Sequence, residues 1–180
     1  MEEKKKSTMR WILEWAEQKK MDYVWSVILG MGNVIFKIIP YFLIATIVRM
    51  FLEGNEDFNT YLQNSICIAI SFIVAEFCHS LSTTLSHKAT FTVLSNIRKA
   101  CFEKLARVPL GYVKDTSSGT FKNIMVERID SIETTLAHII PEFTSNLMGP
   151  VVVLIYFFTI DYRLALWSLL PIIIGFLSYF

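Results

Sequence analysis

Three ionisable side chains fall inside long hydrophobic stretches of the sequence. Lys37 lies in the apolar segment 23–52, and Glu76 and His79 lie one turn apart in the next such segment, 61–86. A charge at the centre of a lipid bilayer costs roughly 2.5–3.5 kcal/mol, so each charge needs a partner or a wet cavity. Three arrangements meet that need: the side chains line a substrate pathway, Lys37 and Glu76 form a structural ion pair, or Lys37 meets water alone.

The depths of Lys37 and Glu76 in the membrane can be compared by counting residues. Lys37 precedes Leu52 by 15 positions, and Glu76 follows Tyr61 by 15 positions. At a rise of about 1.5 Å per residue, each lies about 22 Å from the loop end of an antiparallel helix pair. Similar depth allows the two side chains to pair.

The residue types and spacings do not indicate a metal, redox, catalytic or nucleotide-binding site. His79 and His87 are eight positions apart with no third ligand nearby, so we predict no metal site. The three cysteines form no CxxC pair and are interpreted as small buried residues. Because no nucleophile, base and orienting group recur together, we predict no catalytic residues. The phosphate-binding pattern GxxxxGK[ST] does not occur, so we predict no nucleotide or other cofactor site in this chain.

The composition is that of a membrane protein. Hydrophobic residues make up 53% and charged residues 18% of the 180 residues, and the apolar residues come in blocks. The formal net charge of +1 favours no nucleic-acid partner. We therefore predict an all-α protein of long transmembrane helices, with the lipid bilayer as its main surrounding.

The order of segments predicts one membrane domain preceded by a short amphipathic helix. Residues 1–9 are predicted to be a mobile cytosolic segment, and 10–22 a helix lying in the membrane interface, with Trp11 and Trp15 on its apolar side. The partial transmembrane domain then covers 23–180. Its spans are predicted at about 23–52, 61–86, 139–160 and 164–180.

Between the second and third spans, residues 87–138 are predicted to leave the membrane and return. The helical pattern of the second span continues to about Val108, which makes a helix of roughly 70 Å at 1.5 Å per residue. Pro109 ends it, and 115–119 has the composition of a turn, with Ser117 or Ser118 as the next N-cap. From Thr120 onward, apolar residues recur every three or four positions, as on one face of a helix.

The distribution of lysine and arginine predicts the orientation. The N-terminal segment and the 87–138 segment are rich in both, whereas the predicted turns at 53–60 and 161–163 carry one basic residue between them. Positive charge is retained on the cytosolic side. We therefore expect a multi-pass protein of the cell membrane with a cytosolic N-terminus.

Several short motifs, in this order, resemble the transmembrane domain of ABC exporters with six spans per subunit. They are the basic helix Ile97–Leu105, the tip Val108–Val113, the pair Ser118–Gly119, the triplet Asp130–Ile132 and the start of the fourth span at Tyr162–Leu166. The resemblance covers nearly the whole chain. Glu133, Ala137-His138 and Pro141-Glu142 resemble a pattern in a subset of these exporters, some of which are linked to siderophores.

The resemblance implies how such a chain would act. In that family the tip between the second and third spans docks into a groove of an ATPase domain, and two such domains close when ATP binds. The implied coupling residues are Pro109, Leu110, Gly111, Tyr112, Val113 and Gly119, with Tyr112 as the aromatic anchor. The implied partners are an ABC ATPase domain and a second subunit, identical or different. ATP and Mg²⁺ would belong to the complete, ATP-hydrolysing transporter.

The sequence departs from the family in two ways. Arg128 stands where the family commonly has Asp, which leaves the charge pairing near the tip open. The fifth and sixth spans and the ATPase domain do not follow, so we expect the sequence to be a fragment. The alternative functions are a non-transporting helical scaffold or regulator that binds a partner through residues 109–119, and a non-functional truncated transporter.

Overall fold

The computed structural model describes residues 8–179, with the side chains of 11–178 other than Leu13, Tyr112, Ile140 and Phe176. Every regular element in this range is helical, as predicted. The predicted mobile segment 1–9 falls mostly outside the described residues, and the first helix already begins at Thr8. Three stretches are long and apolar enough to cross a membrane, namely Glu14–Leu52, Phe58–Ala106 and Ser118–Ile160, and a shorter apolar helix covers Tyr162–Gly175.

The first helices form a bent entry into the membrane domain. Helix α1 covers Thr8–Ala16, a single 3₁₀ turn covers Glu17–Lys19, and α2 covers Lys20–Leu52. The prediction treated 10–22 as one helix. The structure divides it at Lys19, whose backbone leaves the helical region (φ −123°, ψ 19°). That α1 lies in the membrane interface stays a prediction.

Helix α3 covers Phe58–Ala106 without a break, so its 49 residues reach about 74 Å at 1.5 Å per residue. That length is more than twice the roughly 30 Å of a bilayer's hydrocarbon core. Asp57 caps its start by accepting a hydrogen bond from the backbone N–H of Asn59. The preceding turn needs Gly54, whose φ of +70° is unfavourable for a residue with a side chain.

The tip of the molecule consists of a short helix and the start of the next one. Helix α4 covers Leu110–Asp115 and follows Pro109, whose ring fixes a backbone angle suited to a helix start. Helix α5 covers Ser118–Lys122, and Ser117 caps it by accepting a hydrogen bond from the N–H of Thr120. The prediction of Ser117 or Ser118 as N-cap is confirmed for Ser117.

A continuous helical rod returns from the tip. It consists of α5, a π-helical turn at Asn123–Glu127, α6 at Arg128–Glu133, a second π-helical turn at Thr134–Ile139, and α7 at Ile140–Ile160. The apolar pattern from Thr120 predicts a helix here but not the π turns. Helix α8, Tyr162–Tyr179, follows after Asp161.

The helices pack as a layer in which α2 contacts both α3 and α7. Helix α3 runs antiparallel to α2, since Ser26 contacts Ser82 and Asn33 contacts Ala75. Helix α7 runs parallel to α2, since Gly30 lies against Ser145 and Phe42 against Tyr156. Towards the tip, an apolar core joins α1, α2, α3 and the rod. Its members are Ile12, Ala16, Tyr23, Ala89, Val93, Leu94, Ile97, Ile129 and Leu136.

Candidate functional site

A polar cavity of about 280 Å³ lies where α2, α3 and the rod meet. Helix α2 contributes Lys37 and Asn33 to its wall, and α3 contributes His79. The remaining lining residues come from all three elements: Gly30, Val34, Ser82, Thr83, Ser86, Ala137, Pro141, Glu142, Ser145 and Asn146. Most of these side chains are polar, although each belongs to a helix that is apolar overall.

Small residues bring the helices together beside the cavity. A Cβ on Gly30 would overlap the Ser145 hydroxyl oxygen in its present position, so glycine lets α2 approach α7 closely without moving that hydroxyl. Ser26 and Ser82 exchange hydrogen bonds, each hydroxyl donating to the other residue's carbonyl, at 2.8 and 2.7 Å. Asn33 donates to the carbonyl of Ala75 at 2.7 Å. We call Ser26, Gly30, Asn33, Ser82 and Ser145 the polar seam. Close approach with interhelical hydrogen bonds is typical of helix packing in membranes.

The polar groups of the cavity wall fall into two classes. Asn33 and Ser82 donate to backbone carbonyls of a neighbouring helix and so join two helices, whereas Ser86 and Ser145 donate to carbonyls of their own helix. The side chains of Thr83 and Asn146 form no hydrogen bond among the described residues, although the Thr83 carbonyl accepts one from Ser86. His79 likewise has no hydrogen-bond partner among the described side chains, although it lies near the charge of Glu76. These three groups are free to bind a polar ligand or water.

The structure brings Lys37 and Glu76 together. The Lys37 ammonium lies 3.0 Å from Glu76 Oε1, and both side chains remain partly accessible. Lys37 lines the cavity together with His79, one turn beyond Glu76. Because an ammonium has three donors and one carboxylate oxygen takes one, Lys37 retains hydrogen-bonding capacity towards the cavity. Lys37 can therefore pair with Glu76 and contact a substrate at the same time. The role of Lys37, Glu76 and His79 stays a prediction.

The rod supplies cavity residues that the sequence analysis did not assign to a site. Ser145 and Asn146 are among them, and Glu142 was noted only as part of a family pattern. A signal was present, since polar residues at 142, 145 and 146 recur at helical spacing in an otherwise apolar segment. The sequence does not show that this face of the helix packs against Gly30, which lies more than a hundred residues earlier in the chain.

The predicted coupling residues form an exposed group at the tip. Pro109, Gly111 and Gly119 are exposed, Leu110 presents 67% of its surface, and Val113 is partly covered. The side chain of Tyr112, predicted as the anchor, lies outside the described residues. Many other large apolar side chains are equally exposed, so the exposure of Leu110 does not by itself mark a contact surface. Docking of this tip stays a prediction.

Charged side chains brace the two helices that lead to the tip. Arg98 of α3 forms an ion pair with Asp130 of α6. Arg128, at the position where the family commonly has Asp, instead donates to the Asn123 side chain at 3.2 Å. The charge pairing that the sequence left open therefore runs through Asp130, two residues further on.

Histidines do not gather into a metal site in the part of the chain that the structure describes, where no three His, Cys, Asp or Glu side chains are suitably arranged. His79 lines the cavity, whereas His87 lies 3.7 Å from Glu133 and packs against the His138 ring. The pair that sequence spacing suggested is thus divided between two environments.

Comparison with known proteins identifies the family. Residues 23–180 match the ABC transporter transmembrane region. The mycobactin import ATP-binding/permease protein IrtA of Mycolicibacterium smegmatis (strain ATCC 700084 / mc(2)155) is 26% identical over 135 residues, which are 75% of this chain and 16% of that protein.

A second relative, the protein of the same name from Mycobacterium tuberculosis (strain ATCC 25618 / H37Rv), is 23% identical over 155 residues, or 86% of this chain and 18% of that protein. The chain thus spans about a sixth of the length of these relatives. It is a multi-pass, all-α membrane chain with long apolar helices and a tip between its second and third long helices. Because the family match covers most of its residues, the chain belongs to the ABC transporter transmembrane region family.

Proposed function

We propose that this chain forms part of the substrate pathway of an ATP-driven ABC transporter. The observation that carries the proposal is the polar cavity, which opens between helices long enough to cross the membrane and is lined by Lys37 and His79. Ionisable and polar groups inside a membrane are costly and mark substrate or ion pathways. Thr83, His79 and Asn146 supply the uncommitted hydrogen-bonding groups that would contact a polar substrate.

The tip would couple this cavity to ATP. Helices α3 and the rod run from the cavity wall to residues 109–119, so a push on the tip reaches the cavity through two helices braced by Arg98 and Asp130. An ABC ATPase domain, which binds ATP and Mg²⁺, would contact Leu110 and its neighbours. The basic residues near the N-terminus and the tip favour a cytosolic position for both. The complete transporter would hydrolyse ATP in that partner domain.

The substrate class is proposed from the relatives. Both are named mycobactin import proteins, which makes import of a mycobactin-like compound the leading proposal for this chain. Export remains the alternative, because the order of motifs resembles ABC exporters. Exposed polar and apolar faces of α7 and α8 leave room for a second subunit of the same or a different kind.

The test is a transport assay in proteoliposomes that contain the assembled ATP-driven transporter. The variant Lys37→Met combined with Glu76→Gln removes both charges and so avoids leaving one charge unpaired. We expect transport of a mycobactin-type compound to fall at least about tenfold, as after loss of about 1.4 kcal/mol of interaction, while folding is retained. Lys88→Met, which removes an exposed charge of α3 away from the cavity, is the matched control.

Unchanged transport by the doubly neutral variant would contradict the pathway role of the ion pair. The same assay decides the direction of transport. When ATP is added on the tip side, an exporter moves the substrate away from that side of the membrane, whereas an importer moves it towards that side. If the tip binds a partner but no transport occurs with any ATPase domain, the scaffold alternative is favoured. Leu110→Asp tests the tip separately, because it should reduce ATP-driven transport without altering the cavity.

A further inference from the structure

The polar cavity has side chains of opposite charge in its wall. Lys37 lines it from α2, and Glu142 lines it from α7. Both remain accessible, since 44% of the Lys37 side chain and 52% of the Glu142 side chain are exposed. An ammonium only donates hydrogen bonds and an ionised carboxylate only accepts them. The two residues therefore differ in the ligand groups that they can bind.

The packing of α2 and α7 sets the distance between these two residues. Gly30 of α2 lies against Ser145 of α7. Asn33 is three positions beyond Gly30 and, through its contact with α3, lies near the level of the ion pair that holds the Lys37 ammonium. Glu142 is three positions before Ser145, on the side nearer the tip. The ammonium and Glu142 are thus about six residues apart in level, or about 9 Å at 1.5 Å per residue.

Each of the two charged groups already has one partner and keeps capacity for another. The Lys37 ammonium lies 3.0 Å from Glu76 Oε1, a contact that occupies one of its three donors. Glu142 Oε1 lies 2.8 Å from His138 Nδ1, a contact that occupies one of about four acceptor positions of the carboxylate. Because Glu76 balances the charge of Lys37, the wall has no excess positive charge to favour a polyanion such as a phosphate compound.

The polar groups between the two charged residues can both donate and accept hydrogen bonds. His79 lies one turn from Glu76 towards the tip, Thr83 lies one turn further, and Asn146 follows Ser145. Such groups suit a ligand of mixed polarity. The cavity volume of about 280 Å³ lies just below the roughly 300–1,000 Å³ of typical ligand pockets. It therefore fits a small molecule or one part of a larger one.

We propose that the polar cavity recognises a dipolar ligand of little net charge. A carboxylate or other anionic oxygen of the ligand contacts Lys37, and an ammonium or other N–H donor, about 9 Å away at 1.5 Å per residue of helix, contacts Glu142. This inference rests on the proposed function, because it takes the cavity as the place where substrate contacts the chain. It goes further by making Lys37 and Glu142 the residues that determine specificity, one for each end of the ligand.

The test uses alanine peptides as dipolar probes, with the full chain in lipid nanodiscs and without ATP. Extended trialanine is about 10 Å long, at roughly 3.3–3.6 Å per residue. N-acetyl-trialanine lacks the ammonium, and trialanine amide lacks the carboxylate. Dissociation constants are measured by saturation-transfer nuclear magnetic resonance. We expect the wild-type chain to bind trialanine at least about fivefold more tightly than either blocked peptide, a moderate preference because Lys37 and Glu142 are partly exposed.

Two variants should each remove one of these preferences. Lys37→Met combined with Glu76→Gln leaves no unpaired charge, and it should erase only the preference for trialanine over its amide. Glu142→Gln keeps the shape of the side chain and should erase only the preference over N-acetyl-trialanine. A purely structural role would instead weaken the binding of all three peptides equally. Lys88→Met and Glu103→Gln, which remove exposed charges outside the cavity wall, are the matched controls.

The length of the probe gives a measurement that requires no variant. Free alanine carries its two charges within one residue of about 3.3–3.6 Å, too close to reach both Lys37 and Glu142, so it should bind at least about fivefold more weakly than trialanine. Equal affinity for alanine and trialanine, equal affinity for free and blocked peptides, or no saturable binding of trialanine would overturn the proposal.

These outcomes are distinct from those of the transport assay. If transport depends on Lys37 and Glu76 but the peptide preferences do not appear, the pathway proposal stands and the dipolar ligand class is wrong. If the two variants remove the two preferences separately but no ATPase domain drives transport, the ligand class stands and the transport proposal is wrong.

Discussion

The two halves of helix α3 are packed by opposite rules. In the half nearer the tip, Val93, Leu94 and Ile97 are almost fully buried, and charged residues such as Lys99 and Glu103 are exposed. In the half nearer the loop 53–57, the buried residues are small or polar. Ser71, Ala75 and Ser82 face the neighbouring helices there, while Phe72, Ile73 and Phe77 point outward.

The difference is the one expected of a helix that lies partly in lipid and partly in water, and the extension of α3 into water stays a prediction. Near the tip, the apolar core of α1, α2, α3 and the rod is packed as in a soluble protein, where water drives apolar side chains inward. Lipid offers no such drive between helices, and packing then depends on close approach and hydrogen bonds, as in the polar seam. Tyr23, whose hydroxyl lies 2.9 Å from the Thr90 hydroxyl, marks the place where one rule gives way to the other.

The largest effect is expected from a cavity in the apolar core. Leu94→Ala should lower the free energy of unfolding by about 2–5 kcal/mol, because it removes a buried side chain that contacts several helices. The measurement is reversible unfolding in mixed micelles. Leu81→Ala on the same helix, where the side chain is 38% exposed, is the matched control. Equal losses at both positions would contradict the division of α3 into two packing regimes.

A smaller effect is expected from widening the polar seam. Gly30→Ala should cost about 1–3 kcal/mol, as other additions to packed interiors do, because the new Cβ would lie 2.3 Å from the Ser145 hydroxyl oxygen. Gly32→Ala is the control, since its Cβ would meet only Cys78 Sγ at 3.7 Å. Adding Ser145→Ala should restore most of the loss at Gly30. Absence of that rescue would mean that α7 does not approach α2 as the structure has it.

The hydrogen bonds of the polar seam are expected to contribute less than the apolar core does. A double-mutant cycle of Ser26→Ala and Ser82→Ala should give a coupling free energy of about 0.6 kcal/mol, with about 1.7 kcal/mol as the upper end for membrane helices. The cycle is measured by the same unfolding assay. A coupling as large as the loss from Leu94→Ala would reverse the ranking of the two regions.

The smallest effect is expected at the loop end of α3, outside both regions. A hydrogen bond from the Thr60 hydroxyl, with backbone N–H groups of the first turn, lowers the pKa of the Asp57 carboxyl. A lowered pKa in the folded state means that the cap stabilises the chain above the ordinary aspartate pKa and is lost as pH falls through the lowered value. The protection of the Asn59 amide, measured as its exchange rate relative to the intrinsic rate at the same pH, should therefore fall in acid. Asp57→Ala should already have low protection at neutral pH and show little further change.

Much of the fold could be read from local patterns. The all-α architecture and its long apolar helices follow from blocks of hydrophobic residues, and the tip follows from Pro109 and the Ser117 cap. Both depend on hydrogen bonds and backbone angles within a few residues, which the sequence displays directly. The division at Lys19 and the two π turns were missed, because each alters a helix that local propensity alone would continue.

The candidate site was only partly predictable for a related reason. Counting residues gave Lys37 and Glu76 similar depths, but depth leaves the rotation of each helix open, and only the packed structure puts their charges 3.0 Å apart. The packing of α2, α3 and the rod also decides that Ser145 and Asn146 line the cavity and that the His87 ring contacts the His138 ring.

The sequence by itself therefore determined which segments are helices, which surroundings each half of α3 suits, and where the tip lies. Tertiary structure alone decided which faces meet, which polar groups share a cavity and which charges pair. The physical reason is the sequence distance over which the interactions act. Helix formation and burial preference depend on neighbouring residues, whereas the rotation and register of helices depend on all the contacts between them.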